Sequence, residues 1–171
     1  MYTRFLLLLI CLFSSGCVCT KIIVCFTPQE KCSTHIIDVI DRSQKSILVQ
    51  AYTFTSQPIA KSLIMAKKRG IDVKVILDET QINSEYSVIN ELFEEKIPIW
   101  IDFQPAIAHN KVMIIDNKKV VSGSFNFTHS AEFRNTENLL IIENNDLLIR
   151  KYVKNWKNRQ SHSKLYQPVK E

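Results

Sequence analysis

Between positions 109 and 126 the chain places an imidazole (His109), a cation (Lys111), a hydroxyl (Ser124) and a carboxamide (Asn126), in the stretches His109-Asn110-Lys111 and Gly123-Ser124-Phe125-Asn126. Together they suit an anion with several acceptor oxygens: Lys111 supplies charge, Ser124 and Asn126 supply oriented donors. His109 is left as the reactive group, because an imidazole can attack phosphorus or pass a proton to a leaving oxygen near neutral pH. Glu137 stands near the start of the next apolar run, where a carboxylate can hold one ring nitrogen and fix which other one faces substrate. Asp116 is a sixth candidate by position, but it opens a turn, where a short carboxylate is at home as a capping group.

The elements that must position these groups are two adjacent apolar runs, Lys111 to Asp116 and Val120 to Phe127, separated by Asn117-Lys118. A two-residue loop there makes a hairpin in which Lys111 faces Ser124 and His109 faces Asn126. Side chains alternate along strands, so all four groups share one face while Phe125 and Phe127 point to the other. A bulge at the loop would shift this register.

Upstream, residues 22–26 read as a short strand and Ser33 as the N-cap of a helix. A strand follows from Ser46 to Phe54. The next helix has Pro58 near its first turn, Lys67-Lys68-Arg69 in its last and Gly70 just past its end. Val73 to Leu77 reads as a strand, Ser84 to Glu95 as a helix and Ile97 to Ile101 as a strand. After the hairpin come a strand, Leu139 to Glu143, and a helix from about Asn145 to Trp156. Alternation of strand and helix predicts an α/β domain with a mixed, largely parallel β-sheet sandwiched by helices and a catalytic β-hairpin. The domain is expected over residues 20–160, with 161–171 as a flexible basic tail.

The start of the chain reads differently. Met1 to Arg4 leads into the apolar run Phe5 to Phe13, too short to cross a bilayer, followed by the small residues of Ser14-Ser15-Gly16-Cys17-Val18-Cys19. Residues 1–19 therefore read as a signal peptide. Export to a periplasmic or secreted location is expected, with lipid anchoring through Cys17 or a retained anchor as alternatives. Only Cys25 and Cys32 then certainly remain in the folded part, where an oxidising compartment lets them pair. Without the leader the chain holds 21 basic against 17 acidic residues, and seven of the basic ones lie between Arg150 and the end. Such a segment is drawn to polyanions, nucleic acid or anionic lipid alike, although a solvated helix face reads the same way.

His109-x-Lys111 followed by four residues and Asp116, then Gly123-Ser124-x-Asn126 and a Glu in Asn135-Thr136-Glu137-Asn138, resembles the signature of the phospholipase D superfamily. The segments 50–55, 66–78 and the closing Asn-Trp-Lys-Asn-Arg-Gln also resemble small exported bacterial members with one copy of the signature. The resemblance implies a two-step, metal-independent displacement, in which one histidine forms a phosphohistidine, a second protonates the leaving oxygen, and water completes hydrolysis. Because larger members carry two copies, it implies a homodimer with a shared active site. In this mapping His109 is nucleophile or general acid, Lys111 and Asn126 bind phosphate, Ser124 supports them, Glu137 orients His109, and Asp116 belongs to the signature. No cofactor is implied. None of His35, His109, His129 and His162 pairs with another His or Cys at common metal-ligand spacing. The leading functional expectation is an endonuclease on DNA or RNA. A phospholipase D acting on phospholipid headgroups is the alternative, and a non-catalytic nucleic-acid or membrane binder the third.

Overall fold

A computed structural model describes residues 19–168. The leader reading, Cys17 included, lies outside the described residues apart from Cys19, which is exposed.

Eight strands form one sheet. Strand β1 (Lys21–Thr27) leads to helix α1 (Cys32–Asp41), β2 (Ser46–Ala51), α2 (Gln57–Lys68) and β3 (Asp72–Asp78), and α3 (Ile89–Glu94) then precedes β4 (Ile99–Asp102). Strands β5 (Lys111–Ile115) and β6 (Lys119–Gly123) form the hairpin. Helix α4 (His129–Phe133), β7 (Glu137–Glu143), α5 (Asp146–His162) and β8 (Lys164–Leu165) complete the chain. The order across the sheet is β1-β7-β6-β5-β2-β3-β4-β8.

The mixed α/β sheet with helices on both faces is as expected, but its parallel part is small. Only β2–β3 and β3–β4 run parallel, and the other five neighbouring pairs are antiparallel. The strand–helix–strand crossovers that enforce parallel pairing end with β4. After it the chain turns back through the hairpin and the single short helix α4, so β5, β6 and β7 alternate in direction.

Strand β2 sits at the centre and reads as an almost continuous apolar run because both of its faces are covered. Ile47, Val49 and Ala51 meet Ile36, Ile40, Ile59 and Leu63 of α1 and α2, whereas Leu48 joins Ile76, Val112, Ile114 and Val120 beneath Ile149 and Trp156 of α5. The Trp156 indole, buried against the sheet, donates to the Val49 carbonyl at 2.9 Å. Cys25 and Cys32 are joined in a disulfide that ties β1 to the first turn of α1, both fully buried.

Three boundaries differ from expectation for local reasons. Helix α1 starts at Cys32 rather than being capped by Ser33, whose N–H and hydroxyl instead donate to the Glu132 carboxylate at 2.9 and 3.0 Å. Helix α3 begins late, its first N–H taken by the Ser87 hydroxyl. Residues 161–168 are docked rather than loose: α5 runs on to His162, β8 pairs with β4, and Tyr166 donates its N–H to the Ile99 carbonyl and stacks edge-on to Phe93.

Candidate active site

The hairpin does not have the inferred register. Met113 faces Val121 and Ile115 faces Lys119, one residue off the pairing a two-residue loop would give. Asp116 and Asn117 both have positive φ (56° and 53°) and the Lys118 N–H donates to the Ile115 carbonyl, so the turn is of the tight left-handed kind. Lys118 is the extra residue, bulged out of the β5–β6 ladder, with its carbonyl accepting from Asn144 N–H instead. Lys111 therefore does not face Ser124 across a ladder.

A glycine turns the chain into the site instead. Gly123 has φ +143°, and a Cβ there would collide with the Asn138 carbonyl. Past it, Ser124 is stapled to β7: its N–H donates to Asn138 O at 3.0 Å, and its Oγ accepts from Asn138 N at 2.9 Å. Phe125 and Phe127 drop into the core. Phe127 pairs with Phe54 and its carbonyl accepts from the N–H groups of Thr55 and Ser56, while Tyr52 N–H donates to Asn110 O. The segment 52–56 thus holds residues 109–111 and 126–127 at the same end of the sheet.

There Lys111 is buried to 7 % exposure, donates to the His109 carbonyl at 2.8 Å and lies 5.2 Å from the centre of the Tyr52 ring. His109 packs on the same ring at 4.5 Å between centroids. Burial holds the Lys111 ammonium below the ordinary lysine range, opposed by the attraction of the Glu137 carboxylate. Glu137 accepts from Asn135 Nδ2 at 2.9 Å, and among the described residues the His109 ring makes no hydrogen bond. Within one chain Glu137 therefore stands as the counter-charge of Lys111 rather than as a partner of the imidazole. The Asn126 Oδ1 is the one buried side-chain polar atom without a partner among the described residues. That orphan is an acceptor and calls for a donor, at a cost of about 1–3 kcal/mol while unmet, so a phosphate oxygen is served by the Asn126 Nδ2–H groups and not by this atom. A buried cation, a carboxamide with donor N–H groups and an imidazole free of hydrogen bonds are the residue types that suit a phosphodiester and a group able to attack it.

Asp116 is not among them. It lies at the far end of β5, about 17 Å from Lys111 at the rise of a strand. Its carboxylate accepts from three successive backbone N–H groups, Gln44, Lys45 and Ser46, at 2.7–3.2 Å. That is a structural anchor, as the turn chemistry suggested, and it corrects the placing of Asp116 among catalytic groups.

Sequence reasoning missed Asp78. Fully buried at 1 % exposure, it caps the turn after β3 through Thr80 and accepts from Ala108 N–H at 2.6 Å, one residue before His109. Gln50 Nε2 donates to Asn110 Oδ1 at 3.1 Å on the other side. His109 is thus located by clamps on both neighbours. The signal for Asp78 was an acid closing the apolar run Val75-Ile76-Leu77.

Residues 36–164 match the family model described as the cardiolipin synthase, PLD-like domain. Among curated proteins, a phospholipase D of Rickettsia felis is 45 % identical over 142 residues, covering 83 % of this chain and 70 % of that one. A mitochondrial cardiolipin hydrolase of Xenopus tropicalis is 26 % identical over 126 residues, 68 % of this chain and 60 % of that one. Among solved structures, Nuc of Salmonella typhimurium, a phospholipase D family member, superposes with TM-score 0.83 at 34 % identity, over 87 % of this chain and 99 % of that one.

Proposed function

The chain belongs to the phospholipase D-like family of phosphodiester hydrolases, and from that premise we propose that it is a homodimeric endonuclease that cleaves nucleic-acid phosphodiesters through a phosphohistidine. Lys111 and Asn126 hold the non-bridging oxygens, and His109 attacks phosphorus in line with the leaving oxygen. The partner's copy of the same imidazole sits on the opposite side, gives its proton to that oxygen, and then takes one from the water that hydrolyses the intermediate. Two copies are needed because one chain supplies one histidine at the site. The outward face of edge strand β1, with Ile22, Val24 and Phe26 exposed beside Leu140 and Ile142, offers an apolar seam for the second copy. Its last residue, Thr27, pairs with Glu137, so the seam ends at the catalytic groups.

One observation carries the choice of substrate: an apolar groove of this chain stands well away from them. A cavity of about 680 Å³ lined by Phe93, Ile97, Pro98, Leu165 and Tyr166 lies outside β4. With β2 and β3 intervening, that is about 14 Å from β5 at ordinary strand spacing. An acyl chain emerging from the diester would not lie in that groove, whereas a polynucleotide needs none. A phospholipase D reading is favoured instead by exposed Phe26, Ile107 and Phe133 about the site. Purified protein with chelator present, incubated with single- and double-stranded DNA, RNA and phosphatidylcholine vesicles, separates the two. Nicking or shortening of nucleic acid with intact lipid is expected. Release of choline with intact nucleic acid would transfer the assignment to phospholipid, and turnover of neither would leave a binder.

A further inference from the structure

We propose that the end of the sheet opposite the catalytic groups is a docking surface for an anionic lipid bilayer. The starts of β1 and β2, the β5–β6 turn, the end of β7 and the start of α5 all meet there.

The basic residues after Arg150 are not one patch. Arg159 is structural: its guanidinium binds the buried Asp102 carboxylate, which raises its pKa further. Arg150, Lys154 and Lys157 follow the i, i+4, i+7 spacing of one helix flank and border a groove with Asn117 of the turn. A second groove continues it past Lys74 and Gln160. Lys45 and Lys118 stand at the same end, and Lys151 on the outer side of the same helix. Among the described residues these six (Lys45, Lys118, Arg150, Lys151, Lys154, Lys157) have no ion-pair partner. The acids nearby are mostly engaged, Glu143 with Lys119, Asp72 with Lys74, and Asp116 with three backbone N–H groups. Asp146, in the first turn of α5, is left to answer the cluster, and Asp41, at the end of α1, accepts from the Ser62 hydroxyl.

One further feature selects a bilayer over a nucleic-acid strand. Leu147, 65 % exposed, projects from the first turn of α5 amid these cations. A phosphate backbone has no use for it, whereas an interface of headgroups and acyl carbons accepts it. Clusters of four to eight Lys and Arg bind anionic leaflets with a free energy that converts to about fivefold in affinity per charge. Docked so, the protein presents His109 away from the bilayer.

The test uses the chain from Thr20 onward, which contains every element of the fold, in flotation with vesicles of phosphatidylcholine alone or mixed with phosphatidylglycerol. Binding to the mixed vesicles only, lost on adding salt, is expected. The triple variant Arg150→Gln, Lys154→Gln, Lys157→Gln should weaken it about a hundredfold, with turnover of bis(p-nitrophenyl) phosphate unchanged as proof of fold. Leu147→Ser should weaken it separately. Equal binding to pure phosphatidylcholine, or undiminished binding by the triple variant, overturns the proposal. So does loss of duplex DNA binding in the triple variant with vesicle binding intact, which would give the surface to nucleic acid.

Discussion

Asp78→Asn is the perturbation that most sharply separates positioning from mere folding. One carboxylate oxygen serves Thr80 through its N–H and hydroxyl at 3.0 and 2.6 Å, and the other serves Ala108 N–H at 2.6 Å, with no water-exposed surface to compensate either. Asparagine keeps one acceptor. If it stays with the two Thr80 donors, its NH2 meets the Ala108 N–H donor to donor, and each buried unsatisfied group costs about 1–3 kcal/mol. The conflict is relieved by moving the segment before His109, since Ala108 lies in irregular backbone rather than in the β5 ladder. A displacement on the order of 1 Å at a reacting group costs about 100-fold in rate. Lys111 is held in β5 and Asn126 by the Gly123 turn, so diester binding should change little. The assay is turnover of bis(p-nitrophenyl) phosphate alongside a thermal melt: kcat down about 100-fold, KM within about threefold, and a lowered but cooperative transition. A variant that melts earlier yet keeps kcat within about twofold refutes the clamp as a positioning device.

Other perturbations separate by location. Asp116→Ala leaves three N–H groups without their shared acceptor and should cost about 2–3 kcal/mol of stability in denaturant unfolding, with kcat unchanged because the turn is a strand's length from His109. Gly123→Ala forces a Cβ into the Asn138 carbonyl at a left-handed φ and should lower stability by about 2–4 kcal/mol and activity with it, read by melting and turnover together. Burial keeps the folded pKa of Lys111 below its unfolded value. Between those two values the unfolded chain binds more protons, so stability rises with pH across that window, while activity that needs the cation falls on the alkaline side. Glu137→Gln removes the opposing attraction and should move that alkaline limb of kcat/KM to lower pH, measured over a buffer series. An unmoved limb would detach Glu137 from Lys111.

Much of this architecture was readable because periodicity and end signals agreed. Pro58 and Gly70 bracket α2 almost to the residue, and β2 and β3 show the continuous apolar runs of strands buried on both faces. Sheet direction was not readable, since nothing in the run Lys21 to Thr27 says that it pairs antiparallel with β7 far along the chain. The short helix α4 was invisible for its length, although Thr128 caps it through Ala131 N–H. At the site, residue types were informative and geometry was not. The assumed two-residue loop failed because Asp116 and Asn117, rather than Asn117 and Lys118, take the left-handed positions, and Lys118 bulges. Lys111 and His109 still meet, on the Tyr52 ring, with Glu137 acting on Lys111, and Gly123 turns the chain toward Asn126. Asp78 escaped notice because its partner is a backbone N–H, which leaves no trace in residue type.

Covalent attack by His109 is the step on which the proposed chemistry turns. A phosphodiester carrying a radiolabelled phosphate, mixed with the enzyme and quenched in alkali within the first turnover, should leave label on the peptide containing His109, stable to base and lost in acid. His109→Ala should show none. Turnover without any phosphoenzyme, or label on a serine such as Ser124, would contradict it.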